Sequence, residues 1–315
     1  MKLDYAAHTP VCARWGRRLK KDFRRYKYVY LMLLPIIAYY FIFHYIPMYG
    51  AQIAFRDLNI RKGVLASPWV GLKHFQNYFN SYYFFRLIRN TVLINVYDVI
   101  FAFPAPIILA LLLNEVRSIR YKRMVQTISY MPHFISIVVI CGMLQNFLTL
   151  DGVINQVIKL FGGTPTAFLL KPEWFRTIYV GSGVWQQVGW GSILYLSALS
   201  GIDQELYEAA KIDGASRWKQ TLHVTLPGIA PTIIIMLILR MGRMMDVGSE
   251  KVLLLYNPNT YETGEVISTF VYRKGLIEAS YSYSAAVGLF NSVINFVILI
   301  SVNAFSKKLS ESSLW

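Results

Sequence analysis

The chain has 315 residues, of which 55% are hydrophobic and only 16% are charged. This composition excludes an ordinary soluble domain and is typical of a membrane protein, whose length is best counted in spans. The net charge of +15 does not indicate nucleic-acid binding, because the basic residues are scattered between apolar runs of about 20 residues, the length of a membrane-spanning helix.

Six apolar runs predict six transmembrane helices in an all-α integral membrane protein. A basic arm at residues 1–27 precedes them; its arginines and lysines predict a cytoplasmic N-terminus and suit anionic lipid headgroups. The same topology makes residues 28–305 the membrane domain and residues 306–315 a cytoplasmic C-terminal tail. The predicted spans are Tyr28–Met48, Asn90–Leu113, Met124–Phe147, Trp174–Leu199, Gly228–Val247 and Ser284–Phe305.

Two spans carry features that predict more than membrane crossing. Pro132 and His133 predict a kink in the third span. In the fourth span, glycines alternate with glutamines and tryptophans. Glycines allow helices to pack closely, and the larger polar and aromatic side chains indicate the wall of a cavity.

A polar loop at residues 200–228 separates the fourth and fifth spans. Asp203 is a suitable N-cap and Gly214 a suitable stop, so a short helix is predicted over residues 203–213. Ser216 then caps a second helix. From these local features alone, the loop is a helical hairpin that closes one end of a membrane bundle.

The same loop contains a motif with fixed spacing. Glu208-Ala209-Ala210 is followed by Gly214 and, a dozen residues later, by Leu226-Pro227. This pattern resembles the EAA loop of ABC importer permeases, with Val224 in place of the usual isoleucine. The resemblance implies a type I ABC importer permease fold, in which the loop is a coupling helix seated on a separate ATP-hydrolysing subunit. The coupling residues that it implies are Glu208, Ala209, Ala210, Asp213, Gly214, Leu226 and Pro227.

The resemblance extends over most of the chain. The segments RRYKYVYLMLLPIIAYYFIFHYIPMYG, NTVLINV and VLLLYNPNTYETGEVISTFVYRKGL look like the oligosaccharide and polysaccharide branch of the sugar permeases, which includes alginate importers. The implied function is import of oligosaccharides, including acidic glycans such as alginate. The implied partners are a second homologous permease, a dimer of ATP-binding subunits and an extracytoplasmic solute-binding protein, all at the bacterial inner membrane.

Ionisable side chains within the predicted spans are costly to bury, so they normally face protein or water. Arg240, Arg243 and Asp246 recur at three-residue spacing in the fifth span. One interpretation is a structural ion pair between Arg243 and Asp246. The other is the polar wall of a translocation path, and the two are compatible.

The resemblance to sugar importers implies that the helices flanking the loop line the central cavity. It adds Gln187, Trp190 and Met244 to the three ionisable residues of the substrate pathway. Aromatic faces suit sugar rings, and two arginines favour an acidic glycan. Asp98 in the second span is interpreted as a hydrogen-bonding residue between helices.

The sequence contains no motif of a catalytic or metal site. It has no GxxxxGK, HExxH or GxSxG pattern, and its two cysteines, Cys12 and Cys141, form no metal-binding pair. We therefore expect no catalytic residue, metal or cofactor on this chain, with ATP and Mg²⁺ bound by the partner ATPase. The alternatives are a proton-coupled secondary transporter using Asp98 or Asp246, a membrane scaffold or sensor without transport activity, and an ABC permease for a different small solute.

Overall fold

The structure is a computed structural model that describes residues 25–309. The predicted basic arm therefore lies outside the described residues except for its last three positions, as do positions 310–315 of the predicted tail. Within the described residues the regular secondary structure is helical, apart from one isolated bridge between Arg56 and Trp69. The predicted all-α class is confirmed.

The helices, in chain order, are α1 (Lys27–Phe55), α2 (Lys73–Phe79), α3 (Tyr83–Glu115), α4 (Ile119–Phe134), α5 (Ile137–Phe147), α6 (Val153–Leu160), α7 (Pro172–Ser200), α8 (Gln204–Ile212), α9 (Arg217–Met241), α10 (Ser249–Leu255), α11 (Ile267–Tyr272) and α12 (Tyr281–Leu309). Shorter helical turns lie at Gly63–Ala66, Phe168–Leu170, Pro258–Thr260, Tyr261–Gly264 and Arg273–Ile277.

Among the described residues, four helices are long and apolar enough to cross a membrane: α1, α3, α9 and α12. The pair α4 and α5 has the length and composition of a fifth span. Helix α7 has 29 residues and is about 44 Å long, but its glutamines and serines make it less apolar. The structure therefore supports a multi-spanning bundle, and the count of six depends on how α7 lies in the membrane.

The third predicted span is divided into two helices next to the kink predicted at Pro132 and His133. Helices α4 and α5 meet at an angle of 98°. Pro132 lies in the closing turn of α4, and Ile135 is extended. The Ser136 hydroxyl then accepts a hydrogen bond of 3.4 Å from the Val139 N–H and caps α5. That serine was the local signal for a new helix start.

Buried apolar clusters hold the bundle together at three levels. Near the polar loop, Ile107, Tyr195 and Ile229 join α3, α7 and α9. A middle cluster contains Ile94, Cys141, Phe175, Val247, Val252, Leu255 and Val266. The far level contains Tyr78, Leu87, Met245, Ile267, Phe270 and Val287. Helix α3 contributes a residue to each of the three clusters and thus packs along the whole length of the core.

Helix α7 approaches α4 so closely that only glycine fits at the crossing. A Cβ atom on Gly189 would lie 2.0 Å from the Ser129 carbonyl oxygen. This agrees with the prediction that small residues in the fourth span permit close packing. Helix α1 is different, because none of its most apolar 18 residues is buried. Its surface is free to meet lipid or another subunit.

Candidate functional site

The polar loop between α7 and α9 folds as the sequence predicts. Asp203 caps α8 by accepting a 3.0 Å hydrogen bond from the Glu205 N–H. Gly214 follows the helix with φ +74°, and the Ala215 N–H donates back to the Ala210 carbonyl over 2.9 Å. This is a Schellman ending, which requires the left-handed backbone that glycine adopts most readily.

Helix α8 turns one side toward the bundle and leaves the other uncovered. Tyr207 and Ala210 are half-buried, and the Tyr207 hydroxyl lies 3.0 Å from the Thr225 hydroxyl at the base of α9. Leu206 and Ile212 on α8, and Trp218 in the first turn of α9, are 54%, 87% and 70% exposed. Large apolar side chains on a polar loop indicate a surface that another protein covers.

The remaining predicted coupling residues lie on α8, directly after it, and on α9. Glu208 and Ala209 on α8, and Asp213 directly after it, are exposed. Leu226 and Pro227 lie where α9 resumes α-helical geometry after a π-helical turn at Thr221–Thr225.

The base of the loop is also tied to α3. The Arg217 guanidinium, in the first turn of α9, donates to the Glu115 carboxylate at the end of α3 over 2.9 Å. Both side chains are about half exposed, so the tie is a weak surface ion pair. The loop is thus connected to both α3 and α9.

A second candidate site is a polar cleft of about 330 Å³ between α3, α7, the end of α9 and α10. Three residues predicted for the substrate pathway, Gln187, Arg240 and Asp246, come together here. The other polar side chains that line the cleft belong to Asn95, Asp98, Tyr179, Gln186, Glu250 and Lys251. We call this site the polar cleft.

The ion pair in the polar cleft differs from the one considered from the sequence. Arg240 on α9 donates to the Asp98 carboxylate on α3, and Arg243 and Asp246 form no ion pair with each other. Asp98 thus pairs with a charged residue on another helix. The two residues are 142 positions apart in the sequence, so local spacing could not reveal the pair.

The three-residue spacing of Arg240, Arg243 and Asp246 does not form one helical face, because α9 ends at Met241. The chain then turns, and the Met245 N–H donates to the Asn295 side chain over 2.8 Å. Arg243 is exposed and Met244 half-buried, and neither lines the polar cleft. Asp246 reaches the cleft by way of the turn.

Trp190 lies one helical turn from Gln187, on the side of the loop. Its ring stacks on His133 with centroids 4.4 Å apart and parallel planes. The His133 Nδ1 is 2.9 Å from the Gln187 side-chain oxygen. One face of Trp190 is therefore already occupied, although 44% of the residue is exposed. The break between α4 and α5 is what places His133 here.

The charges in the polar cleft nearly balance. Lys251, buried on α10, donates to the Tyr179 carbonyl over 2.7 Å. Together with Arg240 it faces three carboxylates, which are those of Asp98, Asp246 and Glu250. Arg240 alone therefore does not make the cleft a site for anions. The sequence did not single out Glu250 or Lys251, because both fall in a predicted loop.

A buried ionic network lies at the end of the bundle opposite the polar loop. Glu265 is fully buried, and its carboxylate oxygens accept hydrogen bonds of 2.6 Å from Arg86 and from Arg273. Arg273 also pairs with Glu278 at 3.0 Å. A hydrogen bond from Lys274 lowers the pKa of Glu278, which keeps that carboxylate charged. The network fixes α3 to α11.

The described residues offer little basis for metal binding or for a reactive thiol. Within residues 25–309, no three His, Cys, Asp or Glu side chains are arranged to hold a metal ion. Cys141 is buried.

Comparisons with known proteins give a consistent result. The model of the family "Binding-protein-dependent transport system inner membrane component" matches residues 102–311. Protein LplB of Bacillus subtilis is 44% identical over 96% of the chain and 94% of its own length. The polygalacturonan/rhamnogalacturonan transport system permease protein YteP of the same organism is 43% identical over 95% of the chain and 94% of its own length.

A solved structure has the same fold. It is the crystal structure of a bacterial alginate ABC transporter in complex with an alginate pentasaccharide-bound periplasmic protein. The matched chain has a TM-score of 0.87 and 43% identity, covering 94% of this chain and 100% of that one.

Proposed function

Because the chain belongs to the family of inner membrane components of binding-protein-dependent transport systems, we propose that it is the permease subunit through which an ATP-driven importer passes acidic oligosaccharides across the bacterial inner membrane. The chain is a multi-pass sugar permease of the ABC type and not an enzyme, since the ATPase of such importers is a separate subunit. The observation that carries the proposal is the exposed apolar loop on a chain of this family.

The loop is the proposed binding site for the ATP-binding subunit. Leu206, Ile212 and Trp218 are the anchors that a groove on the ATP-binding subunit would cover, and Gly214 sets the angle between the two halves of the loop. Two copies of that subunit would bind ATP and Mg²⁺. The loop, and with it both chain ends, is then cytoplasmic, while the opposite end of the bundle faces the solute-binding protein.

The mechanism follows from how the loop is fastened. The hydrogen bond between Tyr207 and Thr225 joins the loop to α9, and the ion pair between Arg217 and Glu115 joins it to α3. The same two helices meet again in the polar cleft through Asp98 and Arg240. Displacement of the loop by the ATPase would therefore move α3 and α9 at the cleft. This movement would open the cleft to one side of the membrane and then to the other.

The substrate class is proposed from the relatives, and the cleft contains groups that could contact such a substrate. YteP is named for polygalacturonan and rhamnogalacturonan, and the matched structure for alginate; these polysaccharides carry carboxylates. A substrate carboxylate can replace Asp98 on Arg240, since a guanidinium binds carboxylates in a bidentate manner. Gln187 and the free face of Trp190 would contact hydroxyls and the sugar ring. A second, homologous permease would supply the facing wall of the cleft.

The proposal is tested with the assembled importer in proteoliposomes. Uptake of an oligogalacturonate or oligoalginate should require ATP and the cognate binding protein, and should exceed uptake of a neutral oligosaccharide of equal length. Uptake that follows a proton gradient without ATP would contradict the importer mechanism. Equal uptake of neutral and acidic sugars would contradict only the proposed substrate class.

A further inference from the structure

A pair of arginines without carboxylate partners lies on adjacent helices, at the end of the bundle away from the coupling loop. Arg89 on α3 donates only to the Glu262 carbonyl, over 3.2 Å. Arg176 on α7 donates to the Asn90 side-chain oxygen over 3.1 Å, and its Nε is buried with no partner. Neither guanidinium forms an ion pair with another described residue.

The two guanidinium groups also repel each other. Arg89 and the Asn90 side chain both donate to the Glu262 carbonyl, and Arg176 donates to Asn90, so the two arginines belong to one hydrogen-bonded cluster. Two like charges held together beside a membrane-spanning segment are unfavourable unless an anion binds between them. An anion bound between the two guanidinium groups would reduce this repulsion.

An apolar groove begins just below these arginines. It has a volume of about 460 Å³ and is lined by Tyr97, Phe101, Thr177, Val180, Gly181 and Val184. Counting along the helices, Arg176 is about 8 Å from Gly181, and Arg89 is about 12 Å from Tyr97. The charges thus lie one to two helical turns from the apolar groove, along the helix axes.

The groove opens away from the polar cleft. Gly181 lines the groove and Gly183 lines the cleft, and two residues are about 200° apart around an α-helix. The groove is therefore on the outside of the α3–α7 pair, where a chain that crosses a membrane meets lipid. A Cβ added to Gly181 would meet no atom within 4 Å, so the groove is open at its centre.

We propose that this groove, with Arg89 and Arg176 above it, is a binding site for an anionic phospholipid. The phosphate diester would accept hydrogen bonds from both guanidinium groups, and one acyl chain would lie on Phe101, Val180 and Val184. A sugar would find few hydrogen-bonding groups in such a groove. A partner helix of apolar residues would leave the two charges uncompensated.

The site has a structural consequence for the permease. Arg176 and Asn90 join the first turn of α7 to α3, and the Asn90 amide donates in turn to the carbonyls of Glu262 and Glu265. A phosphate that neutralises Arg89 and Arg176 would stabilise this junction. Anionic lipid should therefore raise the thermal stability of the importer as well as bind to it.

The test uses the assembled importer, delipidated in detergent, with binding measured by native mass spectrometry and thermal unfolding. The probes are phosphatidylglycerol, phosphatidylcholine with the same chains, and glycerol phosphate. Each arginine contributes about a fivefold preference for an anionic headgroup. Phosphatidylglycerol should thus bind about 25-fold more tightly than phosphatidylcholine, and glycerol phosphate should compete poorly because it lacks chains.

Two variants separate the headgroup from the chain. Arg89→Gln with Arg176→Gln should abolish the preference for phosphatidylglycerol, while Lys171→Gln, an exposed base before α7, should not. Gly181→Leu fills the groove without changing charge and favours the helix, so it should weaken phosphatidylglycerol binding several-fold. Gly142→Leu, also with no atom within 4 Å of the new Cβ, is its control.

Several outcomes would overturn the proposal. Equal affinity for the two phospholipids would remove the headgroup site, and unchanged binding in Gly181→Leu would remove the groove. Effective competition by glycerol phosphate would leave a site for free anions only. If the double arginine variant loses affinity for the solute-binding protein while phosphatidylglycerol binding persists, the arginines serve a protein partner. None of these outcomes depends on which sugar is transported.

Discussion

Replacement of Gly214 by valine should uncouple the permease from its ATPase while leaving the membrane bundle folded. Gly214 has φ +74°, and a Cβ at this position would meet no atom within 4 Å. The cost is therefore confined to the backbone, because a β-branched residue is strained in the left-handed region. We expect about 1–2 kcal/mol against the observed loop conformation.

This cost converts to a measurable effect. A penalty of 1–2 kcal/mol lowers the population of the docking-competent loop about 5- to 30-fold. Since Ile212 and Trp218 lie on either side of Gly214, a changed turn would separate the two anchors. The affinity of the purified ATP-binding subunit for the permease should fall by the same factor, and sugar-stimulated ATP hydrolysis should fall with it.

A matched control is available in the same chain. Gly162 has φ +78° and equally open surroundings, but it lies after α6 and away from the loop. Gly162→Val should carry the same local strain and leave ATPase binding unchanged. Gly214→Asn should behave nearly like the wild type, because asparagine tolerates the left-handed region. Normal coupling in Gly214→Val, or an equal defect in Gly162→Val, would refute the reasoning.

Three further substitutions test the rest of the structure. Arg240→Ala should lower uptake of acidic oligosaccharides about tenfold more than uptake of neutral ones, the value of one charge-assisted hydrogen bond. Glu265→Gln should destabilise the protein by about 3–5 kcal/mol in chemical unfolding, because it leaves Arg86 and Arg273 without their buried partner. Gly189→Leu should lower the unfolding temperature by several degrees, because its Cβ would overlap the Ser129 carbonyl.

Each of these has a control that shares its chemistry. Arg243→Ala removes an exposed arginine outside the polar cleft and should not discriminate between sugars. Glu278→Gln removes an acid from the exposed end of the same network as Glu265, where solvent screens the charge. Gly288→Leu places a side chain on α12 where no atom lies within 4 Å. If a control variant had as large an effect as the variant it is paired with, the physical reason proposed for that variant would be contradicted.

The parts that could be predicted from the sequence depend on neighbours along the chain. Asp203, Gly214 and Ser216 act within a few residues of themselves, as caps and a turn, and the loop they define was found. Ser136 also acts locally, because it caps α5 four residues after Pro132, but it was not identified as a cap from the sequence. The apolar runs likewise located the long helices, but α9 begins at Arg217 and ends at Met241, both before the predicted ends of the fifth span.

The polar cleft could not be predicted in the same way. Its ion pair joins Asp98 to Arg240 across two helices, and Lys251 enters it from a segment that looked like a loop. The spacing of Arg240, Arg243 and Asp246 was misleading because it assumed that the helix continued beyond Met241. Side-chain charge and sequence spacing identify candidates for such a site, but only packing decides which of them meet.

The two ion pairs between α3 and α9 should separate in a fixed order during transport. The pair of Glu115 with Arg217 has side chains 47% and 59% exposed, whereas Asp98 and Arg240 are 20% and 35% exposed. Exposed pairs contribute little, and partly buried pairs resist separation more strongly. The ATPase would then move the loop at low cost, while the pair in the cleft holds until a substrate carboxylate replaces Asp98. Double-mutant cycles for both pairs test this order. A larger coupling energy for Glu115 and Arg217 than for Asp98 and Arg240 would contradict it.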